Sequence, residues 1–236
     1  MDGAWYTGWR HVFKLDPDRE ITDEALEAVC MSGTDAIMVG GSSGITYDNT
    51  VDLMSRIRRY AVDCVLEVTS LDAAVPGFDN YLVPLVLNAE RAEWLIGRQT
   101  AALQEFGHLI PWDITAGEGY LIMNGDATAA VVSGANANLN QDEAIAYVQA
   151  ADRLLRLPII YIEYSGAFGD MSLVRRASKI VSQAHVIYGG GIDGPDKAEE
   201  AARAAHTVVV GNIVYDNLDA ALATVQAVKA VQIGVS

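Results

Sequence analysis

Eight short apolar runs alternate along this chain with segments patterned as helices, and that alternation limits the fold more than any other feature. The runs occupy 11–16, 35–41, 64–70, 81–88, 119–124, 159–165, 185–191 and 207–212, and are rich in Val, Ile and Tyr. Most are nearly continuous in hydrophobicity, as expected of parallel strands covered on both faces. Parallel neighbours need long crossovers, and the intervening segments supply them. Thr22 is placed to cap a helix over 23–34 that opens on acidic residues and closes near Gly33. Further helical patterns cover 50–61, 92–107, 141–155, 170–184, 195–205 and 218–231. Eight strands with right-handed crossovers close into a single (β/α)8 TIM barrel. An open doubly wound sheet is the alternative, but eight similar units with no break in composition favour closure. The length of 236 residues suits one barrel domain over 1–236.

One unit is irregular. Segment 71–80, LDAAVPGFDN, is too short for a crossover helix and contains Pro76 and Gly77. An extended or looped stretch is expected in place of the third helix. Segments 108–118 and 131–140 are expected to be loops, before and after the fifth strand. Cys30 and Cys64 lie in apolar segments without metal spacing, so both are expected to be buried free thiols. The four histidines are scattered and read as structural. No run reaches the 18 or more apolar residues of a membrane span, and residues 1–16 lack a signal-peptide core, which points to a cytoplasmic protein. With 31 acidic against 16 basic residues the net charge is −15. A field of that sign repels nucleic acid and anionic headgroups. Phosphate binding on such a chain must use local dipoles and a few placed cations.

A barrel builds its active site at the C-terminal ends of its strands, which selects a short list. Strand seven ends in Gly189-Gly190-Gly191, and strand eight in Gly211-Asn212. A glycine run alone is a turn. Two such loops in succession form the usual phosphate site of this fold, where backbone N–H groups approach the ligand closely. On strand six, alternation places Tyr161, Glu163 and Ser165 on one face. A carboxylate in an apolar wall is either half of a core ion pair or a base that engages a substrate hydroxyl. On strand one, Lys14 and Asp16 share a face. Lys14 can reach a phosphate, and Asp16 can hold Mg²⁺, since hard cations take carboxylate and phosphate oxygens. Ser42, in the Gly40-Gly41-Ser42 turn after strand two, can add a hydroxyl to the same ion.

The motifs HVFKLDPDRE, GGS after strand two, YIEYSG, YGGGI and VVGN stand in order, each at a strand end. Together the chain resembles the geranylgeranylglyceryl phosphate synthase / PcrB family over essentially its whole length. The resemblance implies a barrel with an extended stretch for its third helix. It implies Mg²⁺-dependent transfer of a prenyl group from its diphosphate to the C3 hydroxyl of sn-glycerol 1-phosphate. Carried over motif by motif, Lys14 contacts glycerol phosphate and Asp16 and Ser42 bind Mg²⁺. Tyr161, Ile162, Glu163, Tyr164, Ser165, Gly166, Gly191, Gly211 and Asn212 hold glycerol phosphate. Ser42 replaces a frequent Thr and keeps the hydroxyl. Glu163 becomes the group that orients or deprotonates the attacking hydroxyl, and Tyr120 and Tyr164 are placed to line the reacting end. Trp94 resembles the aromatic stop of the C20-using members, where longer-chain members have a small residue. That favours geranylgeranyl diphosphate and an archaeal ether-lipid role over a heptaprenyl donor. The family also implies a homodimer, and a lipid product implies at most transient membrane contact.

Two rivals share the scaffold. A sugar-phosphate isomerase or aldolase would use the same glycine loops, but an aldolase needs a Schiff-base lysine, and Lys14 beside Asp16 fits a metal site better. A non-catalytic phosphate or prenyl binder would not need Asp16, Ser42 and Glu163 together.

Overall fold

A computed structural model describes residues 4–69 and 74–231. Its eight parallel strands are β1 His11–Leu15, β2 Ala36–Val39, β3 Asp63–Glu67, β4 Asn80–Val86, β5 Thr115–Ile122, β6 Ile159–Glu163, β7 His185–Gly189 and β8 Thr207–Val210. They close in sequence order into a barrel. The seam pairs Val12 with Val209 across β1 and β8.

Alternation along the strands divides the apolar residues into two cores. Val12, Met38, Val65, Leu82, Tyr161, Ile187 and Val209 fill the barrel. Phe13, Ile37, Leu66, Leu121, Ile162, Tyr188 and Val208 face the helices. Every residue of β2, β6 and β8 is buried, which is why those runs read as continuous apolar sequence. Trp9, with Trp5 tilted against it at 5.0 Å, packs on the interior core from the N-terminal end of β1.

The helices are α1 Asp23–Cys30, α2 Tyr47–Ile57, α3 Arg98–Phe106, α4 Thr128–Ser133, α5 Gln141–Gln149, α6 Met171–Ile180, α7 Pro195–Ala202, α8 Ile213–Asp216 and α9 Leu218–Ala230. Their starts follow capping chemistry. Thr22 accepts the Ala25 N–H, and Thr46 with Asn49 and Asn140 with Glu143 form reciprocal capping boxes. A π-helical turn, Glu93–Gly97, leads into α3, and another, Ala150–Leu154, follows α5.

Between β3 and β4 no helix is found among the described residues, as 71–80 predicts; residues 70–73 of this stretch lie outside the described residues. The outward residues Tyr81, Val83 and Leu85 of β4 are therefore only half-buried. Two loop expectations are corrected. Thr115–Glu118 is strand, paired with Tyr81–Pro84; its small residues Ala116 and Gly117 carry little strand signal. Part of 131–140 is helix, since α4 runs to Ser133 and ends on Gly134 in the left-handed region at φ 63°. The two cysteines are buried and free. Three histidines are structural: His11 bridges Thr34 and Thr224 at 2.9 Å each, His185 meets Thr207 at 2.7 Å, and His206 accepts the Val186 N–H.

Candidate active site

Two cavities meet at the C-terminal end of the barrel. The first, of about 500 Å³, is lined by Lys14, Asp16, Ser42, Tyr161, Glu163, Ser165 and Gly166, and by Gly189–Gly191, Gly211 and Asn212. It brings together the residues the strand-end rule selects. Of the further residues the resemblance adds for glycerol phosphate, Gly166 joins them and Ile162 and Tyr164 do not. Strand alternation turns Ile162 outward into the layer under the helices, and Tyr164 packs beside Tyr188 in that same layer. Neither side chain lines the cavity, so of the two tyrosines expected at the reacting end only Tyr120 faces it.

Glu163 is 2% exposed. Its Oε2 accepts the Tyr120 hydroxyl at 2.7 Å and its Oε1 accepts the Ser165 N–H at 2.5 Å. A carboxylate offers about four lone-pair sites, so each oxygen can still accept from a ligand hydroxyl. Tyr120 stacks on Tyr161 with ring centroids 4.8 Å apart. Burial, then the Glu163 charge, pushes the Tyr120 phenol well above its ordinary pKa, so it stays a donor.

Lys14 does not stand free. Its Nζ donates to both oxygens of Glu67, at 2.8 and 2.7 Å, with the Tyr120 hydroxyl 3.5 Å away. Burial alone would lower its pKa, but the Glu67 and Glu163 carboxylates outweigh this and raise it, so it stays a cation.

Asp16 is half-buried at the mouth, with its carboxylate pressed against Gly41, where a Cβ would come within 2.6 Å of Oδ1. Its Oδ1 accepts the Asp18 N–H. Desolvation raises its pKa more than Lys14 and Arg19 lower it, so this carboxylate is short of positive charge. Among the described residues no three His, Cys, Asp or Glu side chains converge on a metal position. One carboxylate with the Ser42 hydroxyl still suits Mg²⁺, which keeps several waters and takes its other oxygens from substrate phosphates.

On the rim at the ends of β7 and β8, next to β1 in the closed barrel, Gly190 (φ 148°) and Gly191 (φ 56°) hold conformations that side chains rarely adopt, and a Cβ on Gly191 would strike the Ala167 and Phe168 backbone. Gly211 and Asn212 complete that rim, with the Asn212 Oδ1 accepting from Arg19 at 3.0 Å. Lys197 also lines the cavity, bonded to Asp193 at 2.6 Å. Sequence reasoning missed Lys197 and Glu67. Glu67 carried the same signal as Glu163, an acid at an inward position of a strand end.

The second cavity, of about 510 Å³, shares Ser42, Ser43, Tyr120 and Ala129 with the first. It continues past Pro84, Trp94, Ala101, Ala102 and Val132. Trp94 stands on the π-helical turn before α3, its ring 3.6 Å from the Arg98 guanidinium and its buried Nε1 without a partner among the described residues. This groove runs between β4 and α3, past Val68 and Thr69 at the end of β3.

The fold and site thus define a (β/α)8 barrel whose mouth, rich in carboxylates and rimmed by glycine loops, opens into an apolar groove. The PcrB family model matches residues 5–229, and the chain belongs to that family. It is 57% identical to a heptaprenylglyceryl phosphate synthase of Brevibacillus brevis, with 96% of this chain and 98% of that one covered. A protein of the same name from Geobacillus thermodenitrificans is 52% identical over 94% of this chain and 92% of its own. Among solved structures, (S)-3-O-geranylgeranylglyceryl phosphate synthase of Thermoplasma acidophilum, in complex with sn-glycerol-1-phosphate, superposes with a TM-score of 0.84 at 26% identity, covering 96% of both chains.

Proposed function

We propose that this protein is a prenyltransferase that joins heptaprenyl diphosphate to the C3 hydroxyl of sn-glycerol 1-phosphate. The observation that carries the reading is the junction of the two cavities at Tyr120 and Ser42, where a small phosphorylated acceptor meets a long apolar donor. Glycerol phosphate lies with its phosphate on the Gly190-Gly191 and Gly211-Asn212 rim and its hydroxyls toward Glu163. The C3 oxygen forms the new C–O bond to the allylic carbon. The bond from that carbon to the diphosphate breaks, and the electron pair leaves with the diphosphate. Glu163, fixed by Tyr120 and Ser165, takes the hydroxyl proton. Asp16 and Ser42 would hold Mg²⁺, which when bound neutralises the departing diphosphate.

Taken as a stop, Trp94 favours a geranylgeranyl donor. We prefer the longer chain because Trp94 lies in the groove wall under Arg98, while the small side chains of Ala101 and Ala102 line the same groove. The 57% identity to a heptaprenyl enzyme supports the same choice. The working form we propose is a homodimer that meets the bilayer transiently at the groove mouth. No helix among the described residues is long and apolar enough to cross a membrane.

The test is product formation from sn-glycerol 1-phosphate with geranylgeranyl and heptaprenyl diphosphates in parallel, with Mg²⁺ and with EDTA. Faster Mg²⁺-dependent turnover of the heptaprenyl donor is expected. Preference for geranylgeranyl returns Trp94 to the role of stop. No product from either donor removes the prenyltransferase reading.

A further inference from the structure

The barrel interior holds more acid than the chemistry at its mouth uses. Glu118, on β5, points inward two residues below Tyr120 and is fully buried. Neither of its oxygens has a hydrogen-bond donor among the described residues. It lies beside Glu67, whose own two oxygens are both held by Lys14. Glu67 is 3% exposed and Glu163 2% exposed. The charged and titratable groups facing Glu118 are therefore Glu67, Lys14 and Glu163, with the Tyr120 and Tyr161 phenols above.

Three carboxylates, each 3% exposed or less, share one ammonium, and a buried unpaired charge costs far more than its protonation, so one of the three should stay protonated. Glu163 has two hydrogen-bond donors and Glu67 has the ammonium. Glu118 has neither, so it is the group that keeps a proton. Desolvation first, then the Glu67 charge, raises its pKa well above the carboxylate range.

We propose that Glu118 is a neutral carboxylic acid that donates its O–H to Glu67, and that this pair positions Lys14 for the substrate phosphate. The inference rests on the glycerol phosphate reading of the site. With Lys14 as its only donor, Glu67 would hold the ammonium down inside the barrel. A second donor from below leaves Glu67 hydrogen-bonded when Lys14 turns to a dianionic ligand. Glu118 touches no reacting atom and acts through Glu67.

The experiment compares Glu118→Gln and Glu118→Leu with the wild-type protein. Infrared spectra at neutral pH read the carbonyl stretch of a protonated carboxylic acid, and calorimetry reads binding of sn-glycerol 1-phosphate. The wild type is expected to show the protonated-acid band and Glu118→Gln to lack it. The glutamine amide still donates, so Glu118→Gln should bind within about threefold of wild type, whereas Glu118→Leu should bind about tenfold more weakly. The loss in Glu118→Leu should shrink when Lys14 is also replaced by Met, since the effect travels through Lys14. Absence of the band, or equal binding by the two single variants, overturns the proposal. If Glu118→Leu does not fold, the band and Glu118→Gln decide. Failure of the wild type to bind glycerol phosphate at all, with the band present, overturns the substrate reading and the Lys14 step but not the neutral acid.

Discussion

Glu163 is held on both oxygens by hydrogen-bond donors, the Ser165 main-chain N–H and the Tyr120 phenol. Such a carboxylate is oriented and still has lone pairs to spare, which is what a base for a hydroxyl requires. Glu163→Gln keeps the shape and loses the base. Turnover should fall by about 10²-fold or more, with glycerol phosphate binding within a few-fold of wild type. Steady-state kinetics beside calorimetry separates the two effects, and unchanged turnover would remove Glu163 from the chemistry. At Asp16, Asn keeps the volume and loses the charge. Half-saturation by Mg²⁺ should then need at least about tenfold more metal, read from activity across a Mg²⁺ titration. An unaltered Mg²⁺ curve would place the metal elsewhere. Lys14, Asp16, Ser42 and Glu163 were all legible as strand-end residues, because the fold puts function there. Glu118 was not, because its meaning depends on which carboxylates lie across the barrel from it.

At the scale of elements, the connection between α5 and β7 depends on one buried acid. Asp152, 1% exposed, accepts the Ser182, Gln183 and Ala184 N–H groups and the Ser182 hydroxyl. Asp152→Ala leaves three backbone donors without their acceptor and should cost about 3 kcal/mol, measured as a shift in the urea midpoint at constant m. A loss below about 0.5 kcal/mol would mean that water replaces the carboxylate fully. The missing third helix was predictable from the Pro76-Gly77 stretch. The apolar groove along β4 was not, since a groove is a relation between α3, α4 and a strand far apart in the chain. The start of β5 was hidden for another reason. Ala116 and Gly117 carry little strand propensity, and that stretch is fixed by its ladder with β4.

Across the whole molecule, acid should weaken the fold in a defined window. Burial pushes His11 and His185 down to about 3. Unfolded, each titrates near 6.5, so the folded protein binds fewer protons between those values. The stability from keeping both rings neutral is complete above about pH 6.5 and is lost as the pH falls toward 3, at roughly 1.4 kcal/mol per pH unit for each histidine at full slope. Urea midpoints at pH 7.5 and 5 should therefore differ markedly, and His11→Gln should reduce the difference. Equal midpoints would show that neither ring is held neutral. The sequence by itself determined the eight-unit alternation, the interior and exterior faces of the strands, the caps and the glycine loops, because each follows from local propensity and a period of two or 3.6 residues. Only the tertiary structure decided that Lys14 bonds Glu67, that Ile162 and Tyr164 turn from the cavity, and that Trp94 lies in a groove wall. Those facts depend on distances between strands and helices far apart in the chain, and closing the barrel is what sets them.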